Sequence, residues 1–203
     1  MRDSCCRFGM VIYFIVQFIA WALIISGGLV DQFRVQSVNV FSNNSCLTIW
    51  GFKESCLSGK WTVGTKDYWI GCPERQKRFI WAEGLSIAAI IVSALACVIG
   101  FVMLCCCRCL RWFCLLLNIL TTVCGCAVTA LMIDAYFNNH EGSIQKFNTS
   151  CYPLRKNGSV ILPIGTTKPT TMASHYKYGV GFAIFTTGWC LCFINIFFLM
   201  MPC

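Results

Sequence analysis

Four long apolar stretches alternate with polar segments along the chain. They cover residues 8–30, 85–104, 112–133 and 178–201. Each has at least 20 residues, and none contains Asp, Glu, Lys or Arg. An α-helix rises about 1.5 Å per residue, so about 20 residues cross the roughly 30 Å hydrocarbon core of a bilayer. The pattern therefore predicts four transmembrane helices.

The composition supports a membrane protein over a soluble one. Hydrophobic residues make up 57% of the chain and charged residues 12%, whereas a soluble domain carries about 25% charged residues. The first stretch is longer than the roughly 7–15 apolar residues of a cleaved signal peptide, and no A-x-A site follows it. We therefore expect it to remain as a helix, so that four helices leave both termini on one side.

Two long polar segments, residues 31–84 and 134–177, share the other side of the membrane in this arrangement. Their apolar and aromatic residues are separated by glycines, which is typical of short strands. The strand candidates are Phe41, Leu47, Ile49, Trp61, Val63, Tyr68, Trp69 and Ile70. The fold class that we predict is an all-α, four-helix transmembrane bundle in one domain, residues 1–203, with a small antiparallel outer sheet built from both long loops.

Glycosylation sequons indicate which side of the membrane the long loops face more clearly than basic residues do. Lys and Arg are denser in the N-terminal tail and the turn at 105–111, which favours these as cytoplasmic, but the long loops hold more of them in total. Sequons begin at Asn43, Asn148 and Asn157, all in the long loops. Because N-glycosylation occurs on the outer side, we expect a plasma-membrane protein with extracellular long loops and cytoplasmic termini.

The 17 cysteines divide in the same way. Four lie in the long loops, and an even number suits disulfides in an oxidising exterior: Cys46, Cys56, Cys72 and Cys151. Cys46 and Cys56 enclose a short ring that closes locally, so we predict their bond, which would leave Cys72 and Cys151 to join the two loops. Sequence alone allows three pairings. Six others lie at the opposite helix ends, where palmitoylation occurs: Cys5, Cys6, Cys105, Cys106, Cys107 and Cys109.

The stretch CLTIWGFKESC, residues 46–56, resembles the signature of the amastins, small surface glycoproteins of kinetoplastid parasites. The residues that fit are Cys46, Leu47, Thr48, Trp50, Gly51, Lys53 and Cys56. Ile49 stands where the signature has Leu or Phe, and Ser55 where it has Asp, Glu, Asn or Thr. The size, the four helices and the large first loop also resemble amastins, and this plan is similar to that of the claudins. The resemblance implies a parasite surface that faces a host membrane, without catalysis.

Ordinary physical roles account for the signature residues. Gly51 can adopt a turn conformation that other residues resist. Trp50 can pack the base of the sheet against the helix ends or lie in the interfacial aromatic belt. For Lys53, a structural role, a solvated side chain and contact with a lipid phosphate or an acidic partner all stay open.

Other functions find weaker support in the sequence. No H-E-x-x-H motif, phosphate-binding glycine loop or G-x-S-x-G elbow occurs, so we predict no metal, cofactor or catalytic residues. The C-x-x-C spacing at Cys106 and Cys109 makes a membrane thiol oxidoreductase the main alternative. A small transporter comes next, although the polar residues of the stretches carry no charge. We expect them to bond across helices instead: Gln17, Asn118, Thr121, Thr122, Thr186, Thr187 and Asn195.

The net charge of +8 is spread along the chain rather than concentrated in a block. This distribution indicates the lipid bilayer and an acidic or membranous cell-surface partner, and argues against nucleic acid. Small residues at every fourth position, such as Ala89, Ser93 and Cys97, suit close helix packing and leave a homo-oligomer open. We therefore predict a non-enzymatic surface glycoprotein that acts in adhesion or membrane organisation.

Overall fold

A computed structural model describes residues 2–35, 45–69, 72–105, 110–137, 172 and 176–200, without the side chains of residues 2–8, 35 and 105. The elements follow the chain as α1 (Arg2–Leu29), β1 (Phe33–Val35), β2 (Cys46–Leu47), β3 (Gly51–Lys53), β4 (Val63–Gly64), α2 (Thr65–Tyr68), α3 (Pro73–Cys105), α4 (Arg111–Phe137), β5 (Tyr176–Tyr178) and α5 (Val180–Met200).

Four of these helices are long and apolar enough to cross a membrane. The candidate spans are Gly9–Leu29, Pro73–Leu104, Arg111–Phe137 and Val180–Met200. Length and composition thus confirm the predicted four-helix membrane architecture.

The chain forms two compact units. The helical unit comprises Met1–Gly27, Leu85–Ala127 and Ala183–Cys203. The sheet unit comprises Gly28–Gly84 and Val128–Phe182.

The helices differ from the apolar stretches at several boundaries: α1 begins at Arg2 rather than residue 8, and α4 ends at Phe137 rather than residue 133. Two further differences, in α3 and α5, have a physical cause. Helix α3 begins at Pro73 rather than Leu85, because Pro suits the first helical position and the polar residues after it are good helix formers. The amide of Gln76 donates to the carbonyl of Cys72 at 2.8 Å, which closes the first turn. At the other boundary, Tyr178 belongs to strand β5 and helix α5 starts after Gly179.

The helical unit packs through glycines that let neighbouring helices approach closely. A Cβ atom on Gly27 of α1 would come within 2.6 Å of the Cα atom of Phe185 in α5. A Cβ atom on Gly125 of α4 would come within 2.5 Å of the Cβ atom of Trp189. Small residues of this kind allow the close contacts that drive helix association in lipid, where the hydrophobic effect between helices is weak.

Buried polar side chains also join helices within this unit. Gln17 of α1 donates to the hydroxyl of Ser93 in α3 at 3.2 Å and accepts from Asn195 of α5 at 2.9 Å. Asn118 of α4 donates to the hydroxyl of Tyr13 in α1 at 3.0 Å. Bonding across helices is therefore confirmed for the amide side chains.

The threonines of the apolar stretches behave differently from the amides. Thr121, Thr122 and Thr187 donate to carbonyls four residues earlier in their own helices. The expectation of bonds across helices is wrong for them, because a threonine hydroxyl is short and reaches the preceding turn of its own helix first. The hydroxyl of Thr186 is buried without a hydrogen-bond partner.

The sheet unit holds a five-stranded antiparallel sheet in the order β4-β3-β2-β1-β5. Phe33 of β1 lies opposite Leu47 of β2 on one side and opposite Tyr178 of β5 on the other. Since β1 comes from the first long loop and β5 from the end of the second, the predicted sheet from both loops is confirmed.

Only part of the predicted strand set lies in strands. Leu47 and Val63 do, whereas Phe41 and Ile70 lie outside the described residues. Tyr68 is in helix α2 and Trp69 in the turn after it, so the strand prediction is wrong there. Helix α2 forms because the amide and hydroxyl of Thr65 are both held by the loop before β3, at the carbonyls of Trp50 (3.2 Å) and Ile49 (2.9 Å). Ile49 and Trp61 lie next to strands rather than within them.

Aromatic side chains form the core of the sheet unit. Phe33 stacks on Tyr136 of α4 with ring centroids 5.8 Å apart and also contacts Tyr178 and Phe79. A second group continues from Phe52 through Tyr68 to Trp69. Large, flat rings give a small sheet more buried area per residue than aliphatic side chains would.

Replacing Gly27 by Ala should destabilise the protein by about 1–3 kcal/mol, because the methyl group overlaps the backbone of helix α5. Gly9→Ala in the same helix is the matched control, since a Cβ atom there meets nothing within 4 Å. Thermal unfolding in detergent, followed by size-exclusion fluorescence, should give a lower midpoint for Gly27→Ala only. Equal midpoints would contradict the close α1–α5 packing.

Candidate functional site

The signature stretch forms a disulfide-bridged hairpin. Strands β2 and β3 pair antiparallel, with Cys46 opposite Lys53 and Leu47 opposite Phe52. Cys46 and Cys56 are bonded, with their Cα atoms 5.4 Å apart. The bond ties the end of β3 back to the start of β2, as predicted. We call residues 46–56 the bridged hairpin.

Gly51 is a position of the bridged hairpin that only glycine can occupy without strain. It has a φ angle of +150°, the only positive φ value among the described residues. A Cβ atom here would also collide with the carbonyl oxygen of Val63 in β4, the neighbouring strand. The backbone conformation and the close strand approach therefore both require glycine.

Hydroxyl groups close the loop between β2 and β3. Thr48 donates from its hydroxyl to the carbonyl of Gly51 at 2.8 Å and from its amide to the same oxygen at 2.9 Å. Its hydroxyl oxygen accepts from the indole nitrogen of Trp61 at 3.1 Å. The threonine of the signature thus connects the hairpin turn to the segment that precedes β4.

Trp50 connects the hairpin to the end of helix α1. Its indole nitrogen donates to the carbonyl of Gly28 at 2.8 Å. The last carbonyls of a helix have no partner within the helix, so this bond satisfies one of them. The predicted packing of Trp50 against a helix end is therefore observed.

Lys53 has a structural role. Only 8% of the residue is exposed, and its ammonium group donates to the carbonyl of Ser58 at 3.1 Å. The same nitrogen lies 5.0 Å from the ring centroid of Trp61, a cation–π distance. The solvated side chain considered from the sequence is not what the structure shows, because the side chain supports the loop after β3.

A buried ion pair lies against the disulfide. Arg34 donates from Nε and Nη2 to the two carboxylate oxygens of Asp31, whose side chain is fully buried. Its Nη2 also lies 3.6 Å from Sγ of Cys56. Sequence reasoning missed this pair. The sequence feature that indicates such a pair is an Asp and an Arg three residues apart, directly after an apolar stretch, where an unpaired charge would be costly.

Two tyrosines of the sheet unit, Tyr68 and Tyr176, contact each other and have raised pKa values. The hydroxyls of Tyr68 and Tyr176 are 3.2 Å apart. Burial, followed by the neighbouring Tyr176, raises the pKa of Tyr68 well above its usual value, and burial also raises the pKa of Tyr176. Both hydroxyls therefore stay protonated even at alkaline pH and serve as hydrogen-bonding groups rather than as bases.

Several sequence-predicted positions lie outside the described residues. These are the sequon residues Asn43, Asn148 and Asn157, and the cysteines Cys106, Cys107, Cys109 and Cys151. Cys5 and Cys6 lie in helix α1 and Cys105 ends helix α3, but their side chains are not described. Cys72 is disulfide-bonded, and no described cysteine is its partner. Its bond to Cys151 stays a prediction.

The arrangement supports a scaffold. In the part of the chain that the structure describes, no group of three His, Cys, Asp or Glu side chains could hold a metal ion. The side chains of Thr48, Trp50 and Lys53 all bond within the sheet unit. Outside these contacts, the loop after β3 exposes Leu57 and Trp61 to solvent.

A family model described as "Amastin surface glycoprotein" matches residues 18–199 of this chain. No curated protein and no solved structure matches the chain. The match covers all five strands, helices α3 and α4, the second half of α1 and all but the last residue of α5.

Replacing Gly51 by Ala should cost roughly 1–3 kcal/mol from backbone strain alone, in addition to the collision with Val63. Gly59→Ala is the matched control in the next loop, because a Cβ atom there meets nothing within 4 Å. The fraction of protein that reaches the cell surface should fall for Gly51→Ala and stay unchanged for Gly59→Ala. Equal surface fractions would show that the β3–β4 approach is less strict than the geometry implies.

Peptide mapping without reduction should recover the Cys46–Cys56 bond and a second bond between Cys72 and Cys151. Changing Cys46 to Ser should leave Cys56 as a free thiol and remove about 2–4 kcal/mol of stabilisation from the sheet unit. The free thiol is counted by alkylation of the intact protein. Recovery of Cys72 bonded to any cysteine other than Cys151 would contradict the second pairing.

Proposed function

Because the chain belongs to the amastin surface glycoprotein family, as its match over residues 18–199 shows, we propose that it is a non-enzymatic membrane protein acting in adhesion or membrane organisation. The contact that it serves lies between the parasite surface and a host membrane. The observation that carries the proposal is the sheet unit, a braced scaffold whose signature side chains are directed inward.

The construction of this unit suits adhesion. Its bridged hairpin is held by a covalent bond, by the cation of Lys53 and by hydrogen bonds at 2.8–3.1 Å. A surface that is rigid before contact loses little conformational entropy on binding. Catalysis would instead require a nucleophile, a base or a metal presented to solvent, and the signature residues present none.

The orientation that we propose has the long loops outside and both termini in the cytoplasm. The Cys46–Cys56 bond supports it, because structural disulfides persist in oxidising surroundings and are rare in the cytosol. The six cysteines of the helical unit whose side chains are described are free thiols. Glycosylation at Asn43, Asn148 or Asn157 would follow from the same orientation.

Full-length protein in lipid nanodiscs should bind host-type cells saturably, whereas empty nanodiscs should not. The Cys46→Ser/Cys56→Ser variant should lose most of this binding, because the scaffold loosens. Cys126→Ser is the matched control, since Cys126 is an exposed free cysteine of the helical unit. Bound nanodiscs are counted by fluorescence on the cells.

Two results would oppose the proposal. Binding of the wild type no greater than that of empty nanodiscs would remove the adhesive role. Catalytic turnover of a disulfide substrate such as insulin would favour the thiol oxidoreductase alternative.

A further inference from the structure

The loop after β3 presents apolar side chains to solvent. We call residues 54–61, ESCLSGKW, the tip. Leu57 is 76% exposed, the highest value for a large hydrophobic residue in the described part of the chain, and Trp61 is 43% exposed. Within residues 45–69, these are the two exposed large hydrophobic side chains.

The membrane spans do not account for this exposure. Most other exposed large hydrophobic residues belong to helices α1, α3, α4 and α5, whose outward faces meet lipid. The tip lies outside all four spans. Single exposed apolar residues are common, but two in one eight-residue loop with polar neighbours form a candidate membrane-contact surface.

The tip is held in place by polar bonds rather than by burial of its own side chains. The amide of Ser58 donates to the carbonyl of Ser55 at 3.0 Å, and Lys53 donates to the carbonyl of Ser58 at 3.1 Å. Cys56, bonded to Cys46, precedes Leu57 directly. The indole nitrogen of Trp61 is fixed on Thr48. Leu57 and Trp61 are therefore presented in a preset arrangement.

The tip itself carries one exposed lysine, Lys60, and one exposed acid, Glu54, while the long loops as a whole have a basic composition. Lys60 is exposed between Leu57 and Trp61, and its backbone carbonyl accepts from the hydroxyl of Ser58. The two long loops together hold twelve Lys and Arg against seven Asp and Glu. Trp, Leu and Lys together are typical of a segment that enters the interfacial region of a bilayer, where the indole and the ammonium group stay near the headgroups.

We propose that the tip inserts Leu57 into an apposed anionic bilayer, with the exposed face of Trp61 in the headgroup region and Lys60 at the lipid phosphates. The inference rests on the proposed adhesive function and names the lipid of the facing membrane as its ligand. A stable protein interface buries about 800 Å² on each partner, far more than two side chains offer. A lipid surface accepts so small a contact, and many copies in one membrane add their affinities.

The test uses the full-length chain in nanodiscs of neutral lipid and measures its co-flotation with acceptor vesicles. The vesicles contain phosphatidylcholine with or without phosphatidylserine. The wild type should float with the anionic vesicles and less with the neutral ones. Leu57→Ser should weaken binding about tenfold or more, and Lys60→Gln about fivefold at low salt.

Lys66→Gln is the matched control. Lys66 is an exposed lysine of helix α2, outside the tip, and its backbone carbonyl accepts from the side-chain amide of Gln76. This variant should bind as the wild type does. Non-reducing peptide mapping confirms that each variant keeps the Cys46–Cys56 bond, so that lost binding is not lost folding.

The outcomes separate this inference from the proposed function. If Leu57→Ser binds anionic vesicles like the wild type, or Lys60→Gln and Lys66→Gln fall equally, insertion of the tip is refuted. If the wild type binds host-type cells but not vesicles, and protease treatment of the cells abolishes binding, the ligand is a protein and adhesion stands. If it binds neither cells nor vesicles, both ideas fall.

Discussion

The sheet unit depends on the buried pair of Asp31 and Arg34. The pair lies where the chain leaves helix α1, and its two side chains are 0% and 9% exposed. Removing one partner of a buried pair typically costs about 3–5 kcal/mol, because the other charge is left without compensation. The pair also meets the disulfide, through Nη2 of Arg34 and Sγ of Cys56. The charge pair, strand β1 and the bridged hairpin therefore form one connected structure.

The backbone around this pair joins the two long loops. The carbonyl of Asp31 accepts from the amide of Gly181 at 2.9 Å, and that of Gln32 accepts from Gly179 at 2.7 Å. Any Cβ atom on Gly179 would overlap the carboxylate of Asp31. Gly179 is thus required by the charge pair, and Gly181 by the close approach of the Val30 and Asp31 backbone. Without them, β5 could not pair with β1, and the second loop would not contribute to the sheet.

The helices and the hairpin could be predicted from sequence because their signals are local. Uncharged stretches longer than the bilayer core indicate spans directly, and the spacing of Cys46 and Cys56 indicates a small ring. The apolar pattern does not show that α3 starts at Pro73, because several residues after Pro73 are charged and resemble a loop. The strand prediction for Tyr68 is wrong because it rests only on the β-forming side chain. Helix α2 depends instead on the tertiary bonds of Thr65, which no local sequence pattern reveals. The burial of Lys53 depends on Ser58 and Trp61 in the folded loop, so its role could not be read from residue type.

The two residues that depart from the amastin signature, Ile49 and Ser55, show which features of the hairpin the fold requires. Ile49 is 0% exposed and keeps an apolar side chain in a buried position, where Leu or Phe would stand. Ser55 takes part in the loop through its backbone carbonyl, which accepts from the amide of Ser58. The apolar character of position 49 is therefore kept in this chain. The signature residues with described side-chain bonds accordingly serve the fold of the hairpin, while Leu57 and Lys60, just after it, are exposed to solvent.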